Sequence, residues 1–561
     1  MFYSNKKVVQ ILGEILKANY IFNIVISPGS RNAPIIIHFT QDKTFKTYSI
    51  IDERCAAFFA LGIAQKSRKP VVINCTSGSS VVNYYPAITE AFYQKIPIII
   101  ITADRPKEII DIFEGQSIYQ ENIFNNHVEK FVQLTEDESK NGLWYNNKLI
   151  NESINSCIIT KRPIHINIPF SEPLYERTNK LKIKPTIIKT FFTKKKIDNL
   201  YKEIIIWNKC KKKMILLGLN NYDDIINLNK IIKKISLDSS TIVFAETTSH
   251  LYDNMFISNI DYVLFGMNIE KWKKLKPQIL LTFGINIISK KIKLYLRKYP
   301  PKYHWHIGEC FCKNYPDTYY NLTSYFPIDP KSFFHIITNS KYCVLSNYRN
   351  NWKTILNKKI IKQKSFLKKE KRFSDLNSLF LIFSMVPKGS ILQLGNSMII
   401  RYYQFFNNKK NKIKSYCNRG TSGIEGCVST AIGYSINSDK IVTLIIGDIS
   451  FFYDSNALFN NYTPNNFRII LINNGKGNIF KIISENKIPK KTLNFLETKH
   501  NHSAKKLCEM HNWNYKKVDN YNKLKKILFF FWKKFNNPFL LEVDTRKCNN
   551  EKIFKEFLLY S

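Results

Sequence analysis

Asp448, in Gly447-Asp448-Ile449-Ser450, is followed 26 positions later by Asn474 of an Asn473-Asn474 pair, and each comes directly after an apolar run, residues 440–446 and 468–472. Two oxygen ligands at two strand ends can hold a hard divalent cation. Magnesium in such a place keeps waters and takes its remaining contacts from phosphate oxygens, so the pair asks for a diphosphate.

Three further loops follow apolar runs near the start of the chain: Ser27-Pro28-Gly29-Ser30-Arg31-Asn32-Ala33-Pro34, Thr76-Ser77-Gly78-Ser79-Ser80 and Thr102-Ala103-Asp104-Arg105-Pro106. The first by itself reads equally well as a plain strand-to-helix turn. Together, at one edge of a doubly wound sheet, they line a crevice beyond the strand ends. Asp52-Glu53-Arg54 opens a helix, with Asp52 as its cap and Glu53 available for chemistry if something covers it. In the last third of the chain Gly395-Asn396-Ser397 ends a strand, with Arg401 one helical turn beyond Ser397. The glycine-rich loop 418–426, containing Arg419, Ser422 and Ile424, lets main-chain amides approach a phosphate or a flat ring.

The elements that must carry these loops alternate. A helix to about residue 20 precedes strands at 22–26, 47–51, 71–75, 97–102 and 164–168, with helices at 52–65 and 84–94 between them. Continuously apolar strands separated by helices predict parallel sheets covered on both faces. Strands at 214–217, 241–245 and 279–283 form a second unit, and those at 391–394, 441–446, 468–472 and 539–543 a third. Lysine-rich stretches at 180–196 and 358–373 separate the units. The expectation is an α/β protein of three doubly wound parallel-sheet domains, 1–180, 190–350 and 375–561.

The chain has 561 residues and a formal charge of +42. Of its 85 cationic residues 13 are arginine, which leaves 85 − 13 = 72 lysines, spread over nearly every segment. A diffuse lysine excess without an aromatic-basic module does not make a nucleic-acid protein, and runs such as 194–196 and 368–372 read as solvated faces. Where lysine is the default cation, arginine is the informative one. Arg31, Arg54, Arg105, Arg401 and Arg419 all fall inside the loops above, and their planar forks suit carboxylates. Eleven scattered cysteines point to a reducing compartment, and no apolar run is long enough to span a bilayer, so a cytoplasmic protein without membrane insertion is expected. His304, His306, Cys310 and Cys312 could suggest zinc, but one-residue spacing is more simply a strand's alternation.

Taken together, Ile26-Ser27-Pro28-Gly29-Ser30-Arg31, Asp52-Glu53-Arg54, Cys75-Thr76-Ser77-Gly78 with Asn83-Tyr84-Tyr85-Pro86-Ala87, Thr102-Ala103-Asp104-Arg105-Pro106, Gly395-Asn396-Ser397, the loop 418–426 and Gly447-Asp448 closely resemble the thiamine-diphosphate enzymes. Within them the match is to the 2-succinyl-5-enolpyruvyl-6-hydroxy-3-cyclohexene-1-carboxylate synthases of menaquinone biosynthesis. The resemblance implies pyrimidine-binding, central and diphosphate-binding domains. It also implies a transferase that decarboxylates 2-oxoglutarate and adds the succinyl unit to isochorismate. Glu53 is implied to meet the cofactor's aminopyrimidine ring and Ile424 to hold the cofactor bent, with Thr76, Gly78, Asn83, Ser422, Gly447, Ile449, Ser450, Ile479 and Phe480 around it. Asp448, Asn474 and the carbonyl of Lys476 are implied ligands of Mg2+ or Mn2+. Ser30, Arg31, Arg105 and Gln116 fall to isochorismate, Ser397, Arg401 and Arg419 to 2-oxoglutarate, and Lys290 with Lys291 to a cationic pair over the site. The site is implied to be shared between two copies, in a homodimer or a dimer of dimers.

Three departures stand out. Ile449 replaces a usual leucine, Lys291 a frequent arginine, and Lys476 a usual glycine; the ammonium of Lys476 is expected to turn towards phosphate. The rival readings are an acetolactate-synthase-like or other 2-oxoacid decarboxylase of the same cofactor class, and a basic nucleic-acid-binding protein. The former lacks the Ser-Pro-Gly-Ser-Arg and Ala-Asp-Arg-Pro segments.

Overall fold

Val71–Cys75 and Ile98–Asp104 are buried at every position, which a strand achieves only when both faces of its sheet are covered. The computed structural model describes residues 2–190, 200–308, 314–340, 344–406, 413–483 and 488–560, and within them three such sheets follow one another.

The first holds β1 (Asn23–Ile26), β2 (Lys46–Ser49), β3 (Val71–Cys75), β4 (Ile98–Asp104), β5 (Lys130–Gln133) and β6 (Ile164–Pro169) in the order β2-β1-β3-β4-β6-β5. The central sheet holds β7 (Lys213–Leu217), β8 (Thr241–Ala245), β9 (Ile279–Phe283), β10 (Tyr303–Ile307) and β11 (Ser324–Phe326), ordered β8-β7-β9-β10-β11. The third holds β12 (Ile391–Leu394), β13 (Lys414–Tyr416), β14 (Val442–Gly447), β15 (Phe467–Asn473), β16 (Asn514–Val518) and β17 (Phe539–Asp544), ordered β13-β12-β14-β15-β17-β16. Every ladder in the three sheets is parallel. The first and third sheets therefore repeat one topology. Each reverses its winding direction next to its first strand, at β1/β3 and at β12/β14, where such sheets open a crevice.

The strands that the sequence pattern does not announce are Lys130–Gln133, Ser324–Phe326, Lys414–Tyr416 and Asn514–Val518, and all are edge strands. An edge strand is covered on one side only and keeps polar residues, so the apolar signal fades there. The helix expected to reach residue 20 ends at Ala18, and the lysine-rich helix expected at 358–373 runs Tyr348–Lys369.

The first and third units pack through equivalent helices, Glu53–Ser67 after β2 and Cys427–Ser435 after β13. The crossing is backbone against backbone: a Cβ on Gly62 would overlap the carbonyl of Thr430, and one on Gly433 that of Phe59. Arg54 spans the joint, donating to the carbonyl of Glu425 and, at 2.9 Å, to the buried Asp454, which also accepts the N–H and hydroxyl of Ser429. The central unit docks on the third through Tyr252, whose hydroxyl donates to Ile413 O at 2.6 Å, and His250, 2.8 Å from Ser415 O. Among the described residues no helix is long and apolar enough to cross a membrane, and the described cysteines are free thiols.

Candidate active site

The loops after β1, β3 and β4 touch. A Cβ on Gly29 would stand 2.5 Å from the Thr76 side chain, so only glycine lets the two turns meet. Gly78 has φ +86, open to glycine alone, and a Cβ there would press on the main chain of Gln116. Its N–H donates to Gln120 Oε1 at 3.0 Å. Arg105 reaches the same loop, donating to Gly115 O at 3.0 Å. Arg31 is buried and donates to Phe170 O at 2.6 Å, with Glu172 3.5 Å away. Ser30 and Gln116 are exposed at the rim. The structure thus gathers Ser30, Arg31, Thr76, Gly78, Arg105 and Gln116 at one switch point, and adds Gln120, whose polar side chain in a featureless loop gave no signal.

Asp52 caps its helix by accepting from Cys55 N–H at 3.1 Å, which frees the next residue from that task. Glu53 faces an open pocket lined by Asp52, Arg54, Val82, Asn83 and Pro86, and Asn83 donates to it at 3.3 Å. This pocket has no lining residue from the third unit. Val82 in its lining and Ile51, next to Asp52 in the chain, are apolar yet 45% and 63% exposed.

At the other switch point Asp448 is buried, 3% exposed, and joins two strand ends: Oδ1 accepts Ile449 N–H at 2.8 Å and Oδ2 accepts Gly475 N–H at 2.6 Å. Gly475 has φ +74, so the turn needs glycine. Asn474 donates to Asp375 Oδ2 at 2.8 Å, and its own carbonyl oxygen accepts from Lys476 N–H at 3.3 Å. Burial lifts Asp375 to about 6, against the hydrogen bonds from Thr545 and Asn474 that favour its charged form. His500 Nε2 lies 3.3 Å from Asp448 Oδ2 without a hydrogen bond, and both side-chain amide atoms of buried Asn478 lack a partner among the described residues. Asp375, Asn478 and His500 were not legible as site residues, since they lie far from the Gly-Asp pattern or inside an ordinary loop. Carboxylate, amide oxygen and main-chain carbonyl are the donors a hard cation takes, and the Asn478 side-chain amide and His500 Nε2, without hydrogen bonds among the described residues, are what a phosphate beside it would use. The residues present fit both groups.

One expectation about this loop is corrected. The ammonium of Lys476 turns to Glu551, with Glu497 at 3.6 Å, because two buried carboxylates lie within its reach. Of the expected surroundings, Ser450 donates to Ile424 O at 2.9 Å, Ser422 has φ +66, and Ile479 and Phe480 begin the helix Ile479–Ile483. Gly447 has open space where a Cβ would be, and Ile449 is half-buried.

Arg401 donates back to the carbonyl of Ser397, which sits at φ +66. Arg419 is held from three sides. Glu90 of the first unit accepts the N–H groups of Gly420 and Thr421, both at 2.7 Å; Asn286 of the central unit donates to Arg419 O at 2.7 Å; and Arg419 itself donates to Asn396 Oδ1 at 3.2 Å. Arg31, Arg105 and Arg419 each keep a buried Nε without a partner among the described residues. Of the central pair, Lys290 is exposed and Lys291 stands 4.6 Å from the Phe265 ring centroid. Of the zinc candidates, His304 and His306 lie 3.0 and 2.8 Å from one hydroxyl, Thr282 Oγ1, while Cys310 and Cys312 lie outside the described residues. No three metal-binding side chains cluster among the described residues.

Three parallel sheets with a carboxylate and an amide at one switch point define a thiamine-diphosphate enzyme. Residues 6–129 match the family model described as the N-terminal TPP-binding domain of thiamine pyrophosphate enzymes. The crystal structure of benzoylformate decarboxylase from Polynucleobacter necessarius superposes with a TM-score of 0.71 over 96% of this chain and 99% of that one, at 15% identity, which speaks for the fold alone. The 2-succinyl-5-enolpyruvyl-6-hydroxy-3-cyclohexene-1-carboxylate synthase of Flavobacterium johnsoniae is 43% identical over 99% of both chains. Those of Christiangramia forsetii and Bacteroides thetaiotaomicron are 41% and 34% identical, again over 99% of each. The chain belongs to this family of synthases.

Proposed function

We infer that the protein is the decarboxylating transferase of menaquinone biosynthesis that its family membership indicates: 2-oxoglutarate loses carbon dioxide and its succinyl unit is added to isochorismate. Thiamine diphosphate, when bound, supplies the electron sink for that loss. Glu53 would hold the aminopyrimidine ring through its carboxylate, and Ile424 would support the cofactor. Asp448, Asn474 and the carbonyl of Lys476 would hold a divalent cation, Mg2+ or Mn2+, that binds the diphosphate. Ser30, Arg31, Arg105 and Gln116 bind and orient isochorismate; Ser397, Arg401 and Arg419 bind the carboxylates of 2-oxoglutarate, with Lys290 and Lys291 adding positive charge above them.

The observation that carries this division is the set of unpartnered guanidinium donors. A buried N–H without an acceptor is destabilising by roughly 1–3 kcal/mol, and three of them at two crevices are explained by anionic ligands that supply the acceptors. The open face at Glu53, with Val82 in its lining and Ile51 exposed beside Asp52 in the chain, supports self-association, with the third unit of a second copy covering it.

The test is carbon dioxide release and adduct formation with thiamine diphosphate and magnesium, with 2-oxoglutarate and isochorismate supplied singly and together. Adduct is expected only when both are present. Equal turnover with pyruvate as donor would sink the assignment.

A further inference from the structure

Between β13 and the helix Cys427–Ser435, residues 417–426 belong to no helix or strand, so no ladder of their own fixes which way Arg419 points. The helix Tyr85–Gln94 of the first unit lies against this loop so closely that a Cβ on Gly420 would stand 2.5 Å from the carbonyl oxygen of Glu90. Glu90 is buried, and four donors converge on the two oxygens of its side chain. Oε1 accepts the N–H of Gly420 at 2.7 Å and the side-chain amide of Gln94; Oε2 accepts the N–H and the hydroxyl of Thr421, both at 2.7 Å. Gln94, one helical turn further on, also donates to the carbonyl of Cys417 at 3.3 Å. The main chain is thus gripped at residue 417 on one side of Arg419 and at residues 420 and 421 on the other.

This exceeds what joining two units requires. The joint already has the crossing of Glu53–Ser67 with Cys427–Ser435 and the ion pair of Arg54 with Asp454. A buried carboxylate is tolerated when donors satisfy it, and three of the four here come from the two residues that follow Arg419. Arg419 in turn directs one guanidinium nitrogen to Asn396 Oδ1 at 3.2 Å and keeps its Nε without a partner among the described residues. The frame around Arg419 is satisfied while the guanidinium retains a spare donor, which is what a site for an anionic group needs.

We propose that Glu90 is a positioning residue for substrate recognition: with Gln94 it fixes the main chain on both sides of Arg419 and so aims the guanidinium at one carboxylate of 2-oxoglutarate. This rests on the reading of Arg419 as a substrate-carboxylate site. Only a side chain with two acceptor oxygens and no proton of its own serves all four donors at once.

The test is steady-state kinetics of the full chain, saturated with thiamine diphosphate and magnesium. Glu90→Gln keeps the shape but turns one oxygen into a donor, and in either orientation of the amide that donor meets the N–H of Gly420 or of Thr421. It is expected to raise KM for 2-oxoglutarate about tenfold, the loss of one charge-assisted hydrogen bond, and to leave KM for isochorismate unchanged. Thr421→Val, which removes one donor of the clamp, raises the same KM about fivefold. The double variant Glu90→Gln/Arg419→Met is no worse in that KM than Arg419→Met, because Glu90 acts through Arg419. A wild-type KM for 2-oxoglutarate in Glu90→Gln overturns the proposal, as do an equal rise in both KM values and multiplying effects in the double variant. Should Glu90→Gln fail to fold, Thr421→Val decides alone, and an unchanged KM there overturns the proposal. If Arg419→Met leaves that KM unchanged, the underlying reading falls first and the proposal with it; if Arg419→Met raises it and Glu90→Gln does not, only the proposal falls.

Discussion

The first and third sheets wind in the same order, yet their crevices carry different chemistry. After β1, β3 and β4 come Ser30, Arg31, Gly78 and Arg105, donors suited to an anionic substrate. After β12, β14 and β15 come Ser397, Asp448 and Asn474, with oxygen donors suited to a cation and the diphosphate it carries. On the proposed reading one topology supplies two half-sites, because the strand order fixes where loops gather and leaves their composition free. The equivalent helices Glu53–Ser67 and Cys427–Ser435 then pack together, so the two crevices are built on one rigid joint.

The comparison breaks or holds most visibly at the carboxylates. Glu53→Gln is expected to lower kcat by about 10²- to 10⁴-fold, the range for a lost proton-handling group, with thiamine diphosphate binding retained. Asp448→Asn should do the converse, lowering cofactor affinity by about 10- to 100-fold in a calorimetric titration, with recovery of turnover at high magnesium and thiamine diphosphate. If Asp448→Asn spared cofactor affinity while Glu53→Gln abolished it, the assignment of the half-sites would be reversed.

The joint itself gives the next effect. Gly433→Ala places a Cβ against the carbonyl of Phe59, a main-chain atom that cannot turn aside, and destabilisation of about 1–3 kcal/mol is expected in thermal melting. An unchanged melting temperature would mean that the helices do not meet as described.

The smallest effect separates the two units by pH. In the first, burial lowers His38 to about 4 and His165 to about 3, from 6.5. A depressed histidine stabilises the fold above 6.5, and that contribution is lost as pH falls towards the folded values. In the third, burial raises Asp375 from 3.8 to about 6, so its contribution is present below 3.8 and is lost as pH rises through 6. Taking the protein from pH 6.5 to 4.5 should therefore increase amide exchange in β4 and β6 relative to β14 and β15. Equal change in both sheets, read by mass spectrometry, would refute the contrast.

Much of this was legible in the residue string. Continuously apolar strands announced the buried sheets, and Gly447-Asp448 with Asn474, or Ser30-Arg31 with Arg105, announced the loops, since each pattern is local. Four of the six edge strands were missed because half-exposed strands keep polar residues. Lys476 was misjudged because Glu551, 75 positions away, takes its ammonium. Glu90, Asp375 and His500 were invisible for a related reason: a lone carboxylate or imidazole has meaning only through partners distant in sequence, such as Gly420 for Glu90 and Asn474, 99 positions from Asp375.

The sequence by itself determined the strand-end loops, their donor types and the family, because these depend on short spacings and residue identity. Only the tertiary structure decided that two sheets share one topology, that glycines at 62 and 433 let their helices touch, and that Arg419 is held by residues of all three units. Those facts depend on which buried polar groups find one another in the packed chain, and hydrogen-bond satisfaction across hundreds of residues leaves no periodic mark on the sequence.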